Sequence, residues 1–108
     1  MKKISLLGAT GSIGRQTMDV VRENHDLFDI VAFSAGKNIE LTRQYIREFS
    51  PELVSVQEKA DYESLQAEFP SIRFVYGEDG LVEVAVYHSS EILVNAVIGS
   101  VGLYPTLK

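Results

Sequence analysis

The sequence predicts an α/β fold: a doubly wound, mainly parallel sheet with helices on both faces. Three observations predict it. Short apolar runs alternate with amphipathic stretches along all 108 residues, with no repeat and no low-complexity segment between them. The first apolar run passes directly into three glycines, Gly8, Gly11 and Gly14. A second glycine cluster, Gly99-Ser100-Val101-Gly102, follows the last apolar run.

Taking the elements in order, Ile4 to Leu7 forms the first strand and the glycines turn it into a helix starting near Gly11. Gly8 permits the tight turn, Gly11 lets the backbone approach a ligand, and Gly14 lets the helix sit close on the strand. Such a helix start leaves backbone N–H groups unpaired where the macrodipole also favours an anion. The expected ligand is a dinucleotide pyrophosphate; the alternative is an ordinary structural turn. Ile13, Thr17, Val20 and Val21 then fall at helical spacing and pack that helix on the sheet, until the pattern runs out near Asn24-His25-Asp26.

Ile30 to Ala35 reads as a buried strand because it is apolar on both alternations, and it ends at Gly36. Asn38 is the expected N-cap of a second helix carrying Leu41, Tyr45 and Phe49, with Thr42 and Ile46 beside them, stopped by Ser50-Pro51. Leu53 to Val56 is a third strand, Lys59 to Phe69 a helix with Leu65 and Phe69 inward, and Arg73 to Tyr76 a fourth strand. Gly80 to Tyr87 alternates strictly at Val82, Val84 and Val86, as a strand would, yet a crossover is needed there and a helix is expected. Leu93 to Ile98 is the last strand. In a Rossmann-like arrangement the chain winds outward on one side of the first strand, then crosses back so that the last strand pairs with its other side. The ligand crevice lies at that reversal, with both glycine clusters lining it.

The nature of the dinucleotide is read from the end of the second strand. An NAD site places a carboxylate there for the ribose 2′-hydroxyl. Phe33-Ser34-Ala35-Gly36-Lys37-Asn38 contains none. Small residues, the Lys37 ammonium, the Asn38 amide and a helix start suit a 2′-phosphate instead, which points to NADPH. The alternative is that Lys37 is a solvated loop lysine. Arg15, just past the last glycine, is a solvent-facing helix residue or a second phosphate contact.

Bulk properties narrow the function classes. A length of 108 residues with 45% apolar content is one domain able to bury a core. The net charge of -5, with scattered Lys and Arg, argues against a nucleic-acid surface or an anionic membrane as partner. There is no cysteine, so disulfides, thiolate metal sites and a cysteine nucleophile are excluded, in keeping with the cytoplasm. Met1-Lys2-Lys3 begins no secretion signal because the apolar stretch after it is too short, and no apolar run nears the roughly 20 residues of a membrane helix. His25 and His88 read as lone surface histidines.

Gly8-Ala9-Thr10-Gly11-Ser12-Ile13-Gly14, Ala35-Gly36-Lys37-Asn38 and Ile98-Gly99-Ser100-Val101-Gly102-Leu103, with Pro105-Thr106-Leu107, together resemble the amino-terminal part of the 1-deoxy-D-xylulose 5-phosphate reductoisomerases. The similarity runs along essentially the whole chain in order and spacing. It implies an enzyme that rearranges 1-deoxy-D-xylulose 5-phosphate and reduces the resulting aldehyde with NADPH, giving 2-C-methyl-D-erythritol 4-phosphate for isoprenoid synthesis. It also implies a divalent metal, Mg or Mn, and a cytoplasmic homodimer. By position, the resemblance implies NADPH contacts at Thr10, Gly11, Ser12 and Ile13 for the pyrophosphate, and at Gly36, Lys37 and Asn38 for the 2′-phosphate. Thr10 and Ser12 have an alternative reading as local turn hydroxyls, and Ile13 as core. Ser100 and Val101 lie where the family's second loop approaches the cofactor, although they are bulkier than the small residues expected there.

The resemblance also implies what these residues lack. The Asn-Lys-Glu segment, the acidic metal ligands, the substrate loop and the carboxy-terminal domain of the family lie beyond Lys108. Residues 1–108 are therefore expected to be the NADPH-binding domain of a longer enzyme, inactive alone, with no catalytic or metal-binding residue among them. Gly102 to Lys108 is expected to begin a helix that is cut within its first two turns. The edge of the last strand is expected to be open, inviting self-association. Two other functions fit the glycine turn: a free-standing NADPH-sensing module, or another NADP enzyme such as a semialdehyde dehydrogenase, which would need a cysteine nucleophile downstream.

Overall fold

The computed structural model describes residues 2–96. In chain order they form β1 (Lys2–Leu7), α1 (Ser12–Glu23), β2 (Phe28–Ser34), α2 (Ile39–Phe49), β3 (Leu53–Val56), α3 (Lys59–Glu68), β4 (Arg73–Tyr76), α4 (Gly77–Ala85) and β5 (Ile92–Asn95). The five strands make one parallel sheet in the order β4-β3-β2-β1-β5. The chain thus steps outward from β1 through β2 and β3 to β4, then crosses back so that β5 pairs with the free side of β1, as the sequence predicted.

Strand alternation divides the core into two layers. Ile4 and Leu6 of β1, Ile30 and Phe33 of β2, Val54 and Val56 of β3 and Phe74 of β4 face one side. They pack there with Met18 and Val21 of α1, Tyr45 and Ile46 of α2 and Leu65 of α3. Leu7, Ala32 and Leu53 face the opposite side, against Val84 of α4. Between β1 and β2 the register slips by one residue: Ile4 pairs with Ile30 but Ser5 with Ala32. The extra residue, buried Val31, makes a bulge after which Phe33 returns to the face of Leu6.

Helix ends follow the local chemistry. The Asn38 side chain accepts from the Leu41 N–H at 3.1 Å, satisfying a first-turn donor of α2. Ser50 closes the same helix in the left-handed conformation at φ 48, ahead of Pro51. Two expectations require correction. The buried stripe of α1 is Gly14, Met18 and Val21, while Ile13 and Val20 are more than half exposed. The reason is Gly14: its close contact with the turn after β1, at Gly8 and Ala9, sets which face turns inward. Gly80 does not begin α4, which starts at Gly77. It is buried, and a Cβ there would lie 2.4 Å from Ser55 Oγ, so it permits helix-to-sheet approach.

Val84 is buried but Val82 and Val86 are exposed, which resolves the ambiguous alternation in favour of the helix. The remaining elements match to within a few residues: α3 ends at Glu68, with Phe69 as its C-cap packed on the core. Val97, Ile98, the second glycine cluster and the expected helix from Gly102 lie outside the described residues.

Candidate functional site

A crevice of about 730 Å³ opens at the carboxyl ends of the strands. Thr10, Gly11, Ser12, Ile13, Gly36, Lys37 and Asn38, the seven residues singled out from the sequence, all line it. Ser100 and Val101 lie outside the described residues.

The first turn is built on backbone contacts. Gly8 stands at φ 82, a conformation that side chains other than glycine rarely adopt. Ser34, the last residue of β2, holds it with both oxygens: Oγ accepts from the Gly8 N–H and the carbonyl from the Ala9 N–H, each at 2.8 Å. A Cβ on Gly14 would fall 1.9 Å from the Gly8 carbonyl oxygen and 2.7 Å from Ala9, so α1 touches the turn backbone to backbone. Gly11 is different, since a Cβ there would meet nothing closer than 3.7 Å. No contact among the described residues demands its small size.

Gly11 also caps α1, in extended conformation, without any side-chain hydrogen bond. The first turn of α1 contains no acidic residue. Its leading N–H groups lack intrahelical acceptors and sit at the positive end of the helix dipole, facing the crevice. Ser12 and Ile13 are exposed there. Ile13 is 55% exposed, which removes its reading as core.

The second turn leaves β2 through Ala35, whose N–H donates to the Ser55 carbonyl at 2.8 Å. The Gly36 N–H donates to Thr10 Oγ1, also at 2.8 Å, so the Thr10 hydroxyl bridges the two turns as well as belonging to its own. Lys37 and Asn38 are exposed on the crevice wall. Lys37 has no ion-pair partner among the described residues. Because the Asn38 carbonyl oxygen caps α2, its amide nitrogen is the donor left for the crevice. Glu40, the acid in the first turn of α2, pairs with Arg43 at 2.8 Å.

Most of the remaining lining was missed in the sequence. Ser55, Val56 and Gln57 at the end of β3, Gly77, Glu78 and Leu81 at the start of α4, and Ala96 after β5 complete the lining, together with Gly8, Ser34 and Ala35. The available signal was topological: residues just past the carboxyl ends of parallel strands share one crevice. Arg15 is exposed and outside the lining, and His25 and His88 are exposed. Among the described residues no group of three or more His, Cys, Asp or Glu could hold a metal ion, and no helix is long and apolar enough to cross a membrane.

Comparison with known proteins gives this crevice a family. The family model described as 1-deoxy-D-xylulose 5-phosphate reductoisomerase matches residues 4–108. The chain belongs to that family. A 1-deoxy-D-xylulose 5-phosphate reductoisomerase of Bacillus cereus (strain Q1) is 58% identical over the whole chain, and that of Lysinibacillus sphaericus (strain C3-41) 59% identical over 107 residues. The chain spans 28% of the length of each of these reductoisomerases. Among solved structures, a reductoisomerase in complex with NADPH, fosmidomycin and magnesium superimposes with a TM-score of 0.87 at 26% identity, covering 99% of this chain and 27% of that one. The reductoisomerase of Zymomonas mobilis in complex with NADPH gives 0.81 at 29% identity, covering 98% of this chain and 28% of that one. The parallel α/β architecture is thus that of the reductoisomerases at their NADPH-containing structures.

Proposed function

We propose that residues 1–108 are the NADPH-binding domain of a 1-deoxy-D-xylulose 5-phosphate reductoisomerase, and that Thr10, Gly11, Ser12, Ile13, Gly36, Lys37 and Asn38 bind the cofactor. One observation carries the reading. A helix start free of acids and without a side-chain cap, and a lysine just past β2 with no ion-pair partner among the described residues, line one crevice. The pyrophosphate lies against the leading N–H groups of α1, where Gly11 leaves room for close approach. The adenosine 2′-phosphate lies against the Lys37 ammonium, the Asn38 amide nitrogen and the start of α2, whose only first-turn acid, Glu40, is paired with Arg43.

Bound NADPH supplies a hydride, which in the whole enzyme reduces the aldehyde formed when the carbon skeleton of 1-deoxy-D-xylulose 5-phosphate rearranges. The product is 2-C-methyl-D-erythritol 4-phosphate, on the route to isoprenoids. Among the described residues no group of three or more His, Cys, Asp or Glu fits the divalent metal of this reaction, and in this reading the metal and the sugar phosphate are held by other parts of an enzyme taken to be cytoplasmic and homodimeric. These residues bind and orient the cofactor and do no chemistry by themselves. The similarity to reductoisomerase structures in complex with NADPH supports this reading, as do the 57% to 59% identities to several reductoisomerases.

The paired test is calorimetric titration of the chain with NADPH and NADH at low salt, repeated with Lys37→Ala. Tighter binding of NADPH, a preference erased by the substitution, is the expected result. Equal affinities for the two nucleotides in the unsubstituted chain would remove the 2′-phosphate site. The same reading makes β5 an edge that a longer chain covers: Ile92 and Leu93 are 37% and 46% exposed on it. The chain alone is then expected to self-associate through this edge. Sedimentation at rising concentration checks it, and a monomer throughout would rule it out.

A further inference from the structure

One hydroxyl joins the two anion-facing turns. Thr10 Oγ1, in the first turn, accepts from the Gly36 N–H, in the second, at 2.8 Å across 26 positions of sequence. The approach is close enough that a Cβ on Gly36 would stand 3.2 Å from the same oxygen. A threonine hydroxyl accepts and donates at once. With Gly36 donating to it, the Oγ1–H is left to donate, and Thr10 is part of the crevice lining. Lys37 follows Gly36 directly, so the position of the ammonium depends on where Gly36 is held.

The geometry points to Thr10 as a positioning residue for 2′-phosphate discrimination: from the pyrophosphate turn, its hydroxyl fixes the stance of Gly36 and therefore of Lys37. The role rests on the NADPH reading above and deepens it. The hydrogen-bond chain runs from the Gly36 N–H through Thr10 Oγ1 to an anion at the start of α1. Occupancy of the pyrophosphate site and order in the Gly36-Lys37-Asn38 turn then reinforce one another. A nucleotide carrying both a pyrophosphate and a 2′-phosphate gains from this coupling, and one without the 2′-phosphate does not.

Four variants of the chain test it: Thr10→Val, Thr10→Ser, Lys37→Ala and the double variant Thr10→Val/Lys37→Ala. In the nucleotide-free protein, exchange of the Gly36 amide proton is followed by NMR. It is expected to quicken about 5-fold or more in Thr10→Val, the size of one lost neutral hydrogen bond, and to return to its original rate in Thr10→Ser. In titrations, Thr10→Val is expected to lower the NADPH to NADH affinity ratio by a similar factor, Thr10→Ser to keep it, and the double variant to discriminate no worse than Lys37→Ala alone. Gly36→Ala approaches the same contact from the other side and should lower the ratio with Thr10 intact. It serves as the test if Thr10→Val does not fold.

Unchanged Gly36 exchange in Thr10→Val would overturn the inference, as would equal weakening of NADPH and NADH with the ratio preserved. Absence of any preference in the unsubstituted chain is visible before a Thr10 variant is made. That result would remove the functional reading and the discrimination role together, whereas a preference insensitive to Thr10 would remove the inference alone.

Discussion

At the first turn of the crevice the tightest glycine contact is with backbone; at the second it is with a side chain. Gly14 faces the Gly8 carbonyl and the Ala9 backbone with no room for one carbon. Gly36, by contrast, is held by the Thr10 hydroxyl, and the Lys37-Asn38 step by the Asn38 cap on Leu41. Backbone cannot retreat without moving a strand and a helix together, whereas a side chain can be exchanged for another. In the proposed NADPH site the first turn is therefore the rigid anion seat, and the second is where the choice between dinucleotides would be made.

The largest expected effect breaks the first turn. Gly14→Ala should cost on the order of 3 kcal/mol or more, since the added carbon collides with main-chain atoms that have nowhere to go. Urea unfolding measures it, and a loss below about 1 kcal/mol would mean that α1 slides freely off β1. Gly11→Ala separates folding from binding at the same turn. Stability should stay within about 1 kcal/mol because the backbone is extended and the space open, while NADPH affinity should fall about tenfold as the methyl group enters the phosphate approach. Undiminished binding would place the pyrophosphate elsewhere.

At the second turn, Asn38→Ala should lower stability by about 1 kcal/mol through loss of the α2 cap, and should weaken NADPH more than NADH. Equal weakening would assign Asn38 to the cap alone.

The smallest effect lies behind the two turns, where Arg22 of α1 bonds Glu48 of α2 and stacks over Phe49 at 5.8 Å. The Arg22 hydrogen bonds hold the Glu48 carboxyl below its usual range. A folded-state pKa below the unfolded one means that the contribution is present above the ordinary carboxylate range and is lost as the pH falls through it and below. Both side chains are at least one third exposed, so the effect is under about 1 kcal/mol and shrinks with salt. Glu48→Gln should flatten the acid limb of the stability curve; an unchanged limb would assign the pH dependence to other carboxylates.

Much of this was legible in the chain because it is local. The Gly8-Gly11-Gly14 spacing carries its own geometry: a positive φ at Gly8, an open side at Gly11 and a close approach at Gly14. Asn38 and Ser50-Pro51 bound α2 by capping chemistry that needs no tertiary partner. The inward faces expected for α2 and α3 held, whereas the face expected for α1 failed. Apolar Ile13 and Val20 suggested an inward stripe on α1, yet the contact of Gly14 with the first turn rotates Met18 and Val21 inward and leaves the other two in solvent. Gly80 looked like a helix boundary because glycine also breaks helices, and only the nearness of Ser55 reveals it as a packing contact.

By itself the sequence determined the alternation of strands and helices, the reversal beside β1 that opens a crevice, and the absence of a carboxylate at the end of β2. These follow from residue type and spacing along a few turns of chain. The tertiary structure alone decided that Ser34 holds Gly8, that Thr10 holds Gly36, and that Gln57, Glu78 and Leu81 join the same crevice. Each joins residues brought together only once parallel strands have paired in register, and a hydrogen bond of 2.8 Å depends on that register to a fraction of one residue's rise, which no local pattern encodes.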